Sequence, residues 1–220
     1  MSKSVTAFEW FMDRIYGHNI WDGFEPLPRT AVTGWNGDHP ALAAHARNCV
    51  GPFVIIDVGV WKGMSTISMA KAIKEAGLDG VVISVDTFLG SPEHFFMRDD
   101  FQRKNSIPNL SHIFMSNVYH EGVSDYVIPL PQTSVTAVNV LQRVNCEAAL
   151  IHVDAAHEYE EVIRDLREYW KVLRPTGVMI GDDYMYGWPG VIKAAGEFSA
   201  ELCLPMEVEF PKFIIKKPPA

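Results

Sequence analysis

The chain is predicted to form a doubly wound α/β sheet, mainly parallel and seven-stranded, ending in an antiparallel hairpin. Three observations predict it. Short, nearly continuous apolar runs alternate with helical segments, the pattern of strands buried on both faces. Four of those runs close on an aspartate. The last two strands, about 206–210 and 213–216, are joined through Pro211, a link too short for a crossover, so they must pair antiparallel.

The elements follow in order. Phe8, Phe11, Met12 and Ile15 recur at helical spacing and predict a short amphipathic helix over residues 6–15. Pro26, Pro28, Gly34 and Gly37 mark 23–37 as loop, and Asp38 is available to cap a helix over 39–48. These opening elements have no periodic core of their own, so residues 1–49 are expected to be a helical cap on one domain spanning 50–220. The core begins with the run Phe53-Val54-Ile55-Ile56, followed by a helix over 65–76 and a strand over 81–85. The apolar stretch 112–115 is expected as the third strand. A helix over 134–143, a strand over 148–153 and a strongly periodic helix over 159–173 come next. Pro175-Thr176-Gly177 stops that helix, a strand over 178–180 follows, and a helix over 191–202 precedes the hairpin.

Composition excludes several classes. With 48% hydrophobic and 21% charged residues the chain is neither disordered nor of low complexity. A net charge of −8 repels phosphate backbones, so nucleic acid is not an expected partner. No apolar stretch is long enough to span a bilayer, and Glu9 and Asp13 interrupt the first twenty residues, unlike a secretory leader. Cys49, Cys146 and Cys203 fit no zinc spacing and are expected as reduced thiols. A cytoplasmic protein without membrane partners is expected, and a homo-oligomer is compatible with the sequence.

In open α/β sheets ligands bind beyond the carboxyl ends of the strands. Asp57, Asp86, Asp154 and the pair Asp182-Asp183 all fall there. One such acid is ordinary turn or capping chemistry, but several on one edge repel unless cations or hydroxyl donors compensate. The turn Asp57-x-Gly59-x-x-x-Gly63 differs from the dinucleotide fingerprint G-x-G-x-x-G, which disfavours a nicotinamide oxidoreductase. Asp86, closing the second strand, can accept two hydrogen bonds from a ribose diol, so the pair of features signals an adenosine-containing cofactor. Asp154, Asp182 and Asp183, with no cysteine beside them, suit a hard cation such as Mg²⁺. His157, three residues past Asp154, can take a proton at neutral pH. His152, inside an apolar strand, reads as a core histidine.

Together, Asp57-x-Gly59-x-x-x-Gly63, Asp86, Asp154-x-x-His157-x-Tyr159 and Gly181-Asp182-Asp183-Tyr184 resemble the class I S-adenosylmethionine-dependent methyltransferases. More narrowly, the chain is similar to the metal-dependent O-methyltransferases of the macrocin and mycinamicin sugar-methylating type, over about residues 50–216. Catechol-type O-methyltransferases share the same general site. The resemblance implies the Rossmann-like methyltransferase fold, with Asp57, Gly59 and Gly63 lining the methionine end of the cofactor and Ser65 following them. It implies that Asp86 binds the ribose hydroxyls and that the stretch from Asp86 and Thr87 to Ser91 borders the cofactor or acceptor. Asp154, counted with the cofactor-binding residues as well, would ligate Mg²⁺ or another divalent cation together with Asp182 and Asp183. His157 would be the general base, and the acceptor a hydroxyl of a small molecule, sugar or catechol-like. Two aromatic segments, 88–109 and 184–190, are candidate lids, with the Trp35–His39 region a further candidate. The competing reading is a cofactor-binding protein without transfer activity, in a regulatory or assembly role.

Overall fold

The computed structural model of the chain describes residues 5–96 and 102–220. In chain order run α1 (Ala7–Tyr16), α2 (Pro40–Arg47), β1 (Phe53–Val58), α3 (Met64–Glu75) and β2 (Gly80–Asp86). A small ribbon of β3 (Arg103–Lys104) and β4 (Ile107–Pro108) leads to α4 (Leu110–His120) and β5 (Val127–Pro131). Then come α5 (Ser134–Arg143), β6 (Ala148–Val153), α6 (Tyr159–Trp170), β7 (Leu173–Gly181), α7 (Pro189–Leu202), β8 (Met206–Glu209) and β9 (Lys212–Lys216).

Seven strands form one sheet in the order β5-β2-β1-β6-β7-β9-β8. The first five are parallel, and β9 runs antiparallel between β7 and β8. Helices cover both faces, so β1 and β6 are buried along their whole length, as their unbroken apolar runs require. The strand order reverses between β1 and β6, which opens a crevice at the carboxyl edge there. Because β9 is reversed, its first residue lies at the edge where the parallel strands finish. Gly181, the last residue of β7, pairs with Phe213, the second of β9.

The third strand is not where the apolar run at 112–115 placed it. Those residues lie inside α4, which buries Leu110, Phe114, Asn117 and Val118 at helical spacing. Four apolar residues cannot distinguish the two periodicities. The strand is instead β5, which carries Pro129 and Pro131. Proline is tolerated because β5 is an edge strand, bonded to β2 alone. Its outer side is occupied by the N-terminal segment: the Tyr16 hydroxyl donates to Pro129 O at 2.6 Å, and the Trp21 indole donates to Val127 O at 2.9 Å.

That segment then folds back across α4. His112 Nε2 and His120 Nε2 donate to the carbonyls of Glu25 and Leu27 at 2.9 and 2.7 Å. Residues 33–37 are thereby laid over the start of α3, where a Cβ on Gly37 would sit 2.8 Å from the Ser65 amide nitrogen. Helix α2 starts one residue later than expected: the His39 ring, not Asp38, accepts from the Ala41 amide. Among the described residues no helix is long and apolar enough to cross a membrane.

Candidate active site

A cleft of about 570 Å³ lies over the carboxyl edge. Gly59, Ser65, Asp86, Thr87, Asp154, His157, Asp182 and Asp183 line it, so eight of the ten residues singled out from sequence meet in one cavity. Asp57 and Gly63 stand behind its wall. Asp57 is fully buried; its carboxylate accepts from Ser65 Oγ at 2.8 Å, Thr66 Oγ1 at 2.6 Å and His152 Nδ1 at 2.8 Å. Gly63 caps α3, with its amide donating to Val60 O at 2.7 Å.

Asp86 is partnered as well. Its Oδ2 accepts from the amides of Val60 and Trp61, each at 3.0 Å, and its Oδ1 from Phe88 at 2.7 Å. Burial still pushes the Asp86 carboxyl above its ordinary range, with those three amides pulling against it. The same carboxylate that faces the cleft therefore braces the turn after β1 from the end of β2. Gly59 makes the closest approach in that turn. Its φ is +83°, and a Cβ there would lie 1.9 Å from Asp154 O, so the turn packs directly on the end of β6.

The acid edge is built differently. Asp182 keeps to the strand direction, its amide donating to Val153 O at 3.0 Å. Asp183 turns away in the left-handed region at φ +59°. The strand thus runs on past Gly181 and breaks at Asp183, and that break separates the two acids. Asp182 points inward: its Oδ2 accepts from Lys212 Nζ at 2.5 Å and its Oδ1 from the Asp183 amide at 2.7 Å. Asp183 meets the cleft, with Oδ2 2.9 Å from His157 Nε2. His157 stacks on Trp188, ring centres 4.1 Å apart.

Asp154 lies between the two. Its carboxylate comes within 4.8 Å of the ligating atoms of His152 and Asp182 on one side, and of His157 and Asp183 on the other. Among the described residues its carboxylate accepts no side-chain or amide hydrogen bond, and the Asp183 carboxylate has only its charge contact with His157. Burial, then the charges of Asp182, Asp183 and Asp57, hold its carboxyl well above the ordinary range, against the opposing pull of Lys212. Asp154 and Asp183 offer two carboxylates to the cleft beside the His157 imidazole, and oxygen donors of this kind fit a hard divalent cation.

Two further walls were not foreseen in full. On one side Trp35 and the His94–Trp61 stack, with ring centres 3.7 Å apart, close the cleft. Trp35 was a candidate, and it reaches the site because residues 24–37 return along α4. His94 belongs to the first candidate lid, of which residues 97–101 lie outside the described residues. On the other side Gln132, Thr133 and Ser134 reach in with Arg164 and Asp165. Burial raises the Asp165 carboxyl, opposed by the Ser134 hydroxyl that donates to it at 2.8 Å. His152 is satisfied on both ring nitrogens, by Asp57 and Lys212, as a core histidine should be.

The family model described as a methyltransferase domain matches residues 56–184. A search of curated protein sequences finds no match. Among solved structures, the O-methyltransferase NovP superposes with a TM-score of 0.66 at 19% identity, covering 86% of this chain and 83% of NovP. An O-methyltransferase from Bacillus cereus, in complex with SAH, gives 0.57 at 16%, covering 98% and 91%. CalS11, a TDP-rhamnose 3'-O-methyltransferase of calicheamicin biosynthesis, gives 0.57 at 16%, covering 80% and 76%. These likenesses establish the Rossmann-like methyltransferase fold.

Proposed function

The chain belongs to the methyltransferase-domain family, and we propose that it moves a methyl group from S-adenosylmethionine to a hydroxyl oxygen of a small molecule, with a divalent cation at the acid edge. One observation carries this reading: the cofactor turn and the acid edge form a single cleft, joined where Gly59 packs on Asp154. The cofactor would lie along that turn, with its ribose at Asp86. Asp154 and Asp183 would hold the cation beside His157.

When bound, S-adenosylmethionine supplies a methyl on a cationic sulfur, and a divalent cation lowers the pKa of a hydroxyl that it binds. The chain's own residues do the rest. Asp183 Oδ2 sits 2.9 Å from His157 Nε2 and Trp188 covers the ring face, so the imidazole is held at the acid edge, where it would accept the hydroxyl proton. The hydrogen bonds on Asp57 and Asp86 fix the turn before any ligand arrives, so its geometry need not be reorganised on binding. Trp35, Trp61 and His94 offer ring faces to a sugar or planar acceptor and exclude water from that side. CalS11, with a sugar nucleotide as its named substrate, supports a glycosyl acceptor.

The test is turnover with S-adenosylmethionine across catechols and nucleotide-activated sugars, with Mg²⁺ present or chelated. Cation-dependent methylation of at least one acceptor is expected. Methylation that survives chelation would remove the cation from the reading. Tight cofactor binding with no turnover on any acceptor would favour a binding protein without transfer activity.

A further inference from the structure

We infer that Lys212 is a positioning residue that gives the two adjacent acids different work: it takes Asp182 as its own partner and leaves Asp183, with Asp154, to face the cleft. The inference rests on the function proposed above for that edge.

Lys212 is fully buried, and its Nζ lies 2.5 Å from Asp182 Oδ2 and 3.0 Å from His152 Nε2. His152 donates through Nδ1 to Asp57, which also receives Ser65 and Thr66. A continuous buried chain of hydrogen bonds therefore joins the first turn of α3 to the end of β7, with one ammonium in it. A buried ammonium is retained only where it is paired and hydrogen-bonded. Its partner Asp182 then passes the constraint on, because Oδ1 holds the Asp183 amide in the left-handed turn that aims Asp183 at His157.

The alternative is that Asp182 is itself a cation ligand alongside Asp154 and Asp183. Its geometry argues otherwise. Both oxygens are engaged by groups within the chain, one of them a cation already. Among the described residues Asp154 has no such partner and Asp183 only His157. A cation seated between those two carboxylates does not need Asp182.

The experiment uses the whole chain, with Mn²⁺ as the calorimetric probe and thermal melting alongside. The variants are Asp183→Asn, Lys212→Met, and Lys212→Met combined with Asp182→Asn. In the double variant the Asp182–Lys212 charge pair is removed as a unit, and Asn keeps an acceptor for the Asp183 amide. Lys212→Met alone is expected to melt about 10 °C below wild type, since it strands a buried carboxylate, and the double variant is expected to recover more than half of that. Mn²⁺ affinity is expected to fall at least tenfold in Asp183→Asn and to stay within about threefold of wild type in the double variant. A double variant that loses Mn²⁺ as fully as Asp183→Asn overturns the inference and makes Asp182 a ligand, while the proposed function stands. If wild type binds no Mn²⁺, the cation part of the proposed function fails instead. Melting then decides the matter for Lys212: recovery in the double variant supports the pairing, and its absence overturns it.

Discussion

The two ends of the cleft treat their carboxylates in opposite ways. At the cofactor turn every acid is satisfied within the chain, Asp57 by two hydroxyls and an imidazole, Asp86 by three amides. At the acid edge Lys212 and the Asp183 amide take up Asp182, whereas among the described residues Asp154 accepts no hydrogen bond and Asp183 has only His157 beside it. A satisfied acid shapes the backbone around it. An unsatisfied one is available to a ligand and is held against its own electrostatic preference, as the raised Asp154 carboxyl shows. The difference separates acids that brace the backbone, Asp86 doing so while it also faces the cleft, from Asp154 and Asp183, which are open to a cation, although all five look alike in sequence.

The sharpest way to probe that division is at His157. His157→Gln removes the proton acceptor while leaving the turn intact, so turnover is expected to fall by about 10²–10⁴ with cofactor binding unchanged in calorimetry. A parallel loss of cofactor affinity would blur the division. At the other end, Asp57→Ala strands Ser65, Thr66 and His152 in the interior. The expected cost is about 3 kcal/mol in chemical denaturation, and any loss of turnover should follow the unfolded fraction. A folded Asp57→Ala protein that binds cofactor normally but turns over slowly would move Asp57 into the acting group.

Smaller effects refine the walls. Gly37→Ala would place a methyl group 2.8 Å from the Ser65 amide, pushing residues 33–37 off α3. A stability loss of about 1–2 kcal/mol is expected, with KM for the acceptor rising more than kcat falls. The smallest effect concerns Asp165. Burial raises its carboxyl, the Ser134 hydroxyl and Arg164 oppose this, and Glu161 adds to it. Its folded pKa thus lies above its unfolded one, so the ionised form costs stability. That cost is absent below the ordinary carboxylate range and grows as pH rises to the elevated value. Asp165→Asn, uncharged throughout, should melt about 2 °C above wild type at pH 8 and coincide with it near pH 4. A difference that does not change with pH would mean that Asp165 is not raised.

Most of the edge was legible because strand ends are punctuated. Each of β1, β2, β6 and β7 is an apolar run that stops at or beside an acid, and doubly wound topology brings those stops together whatever the details of packing. What escaped depends on partners far away in sequence. Strand β5 carries two prolines that only an unpaired edge tolerates, and the edge position is a property of the sheet, not of the segment. The return of residues 24–37 rests on backbone carbonyls meeting His112 and His120, which no local pattern displays. Lys212 escaped for a related reason. Lys-Phe-Ile-Ile-Lys reads as a strand with both lysines in solvent, and Lys216 is exposed, whereas Lys212 is not. The available signal was the reversal of the last strand, which carries its opening residue to the acids.

That reversal also sets an order in time. During synthesis the strands bearing Asp57, Asp86, Asp154 and Asp182 emerge before Lys212, so a nascent chain holds the acids without the ammonium that belongs among them. Until the last strand pairs with β7 the acids of this edge lack that ammonium.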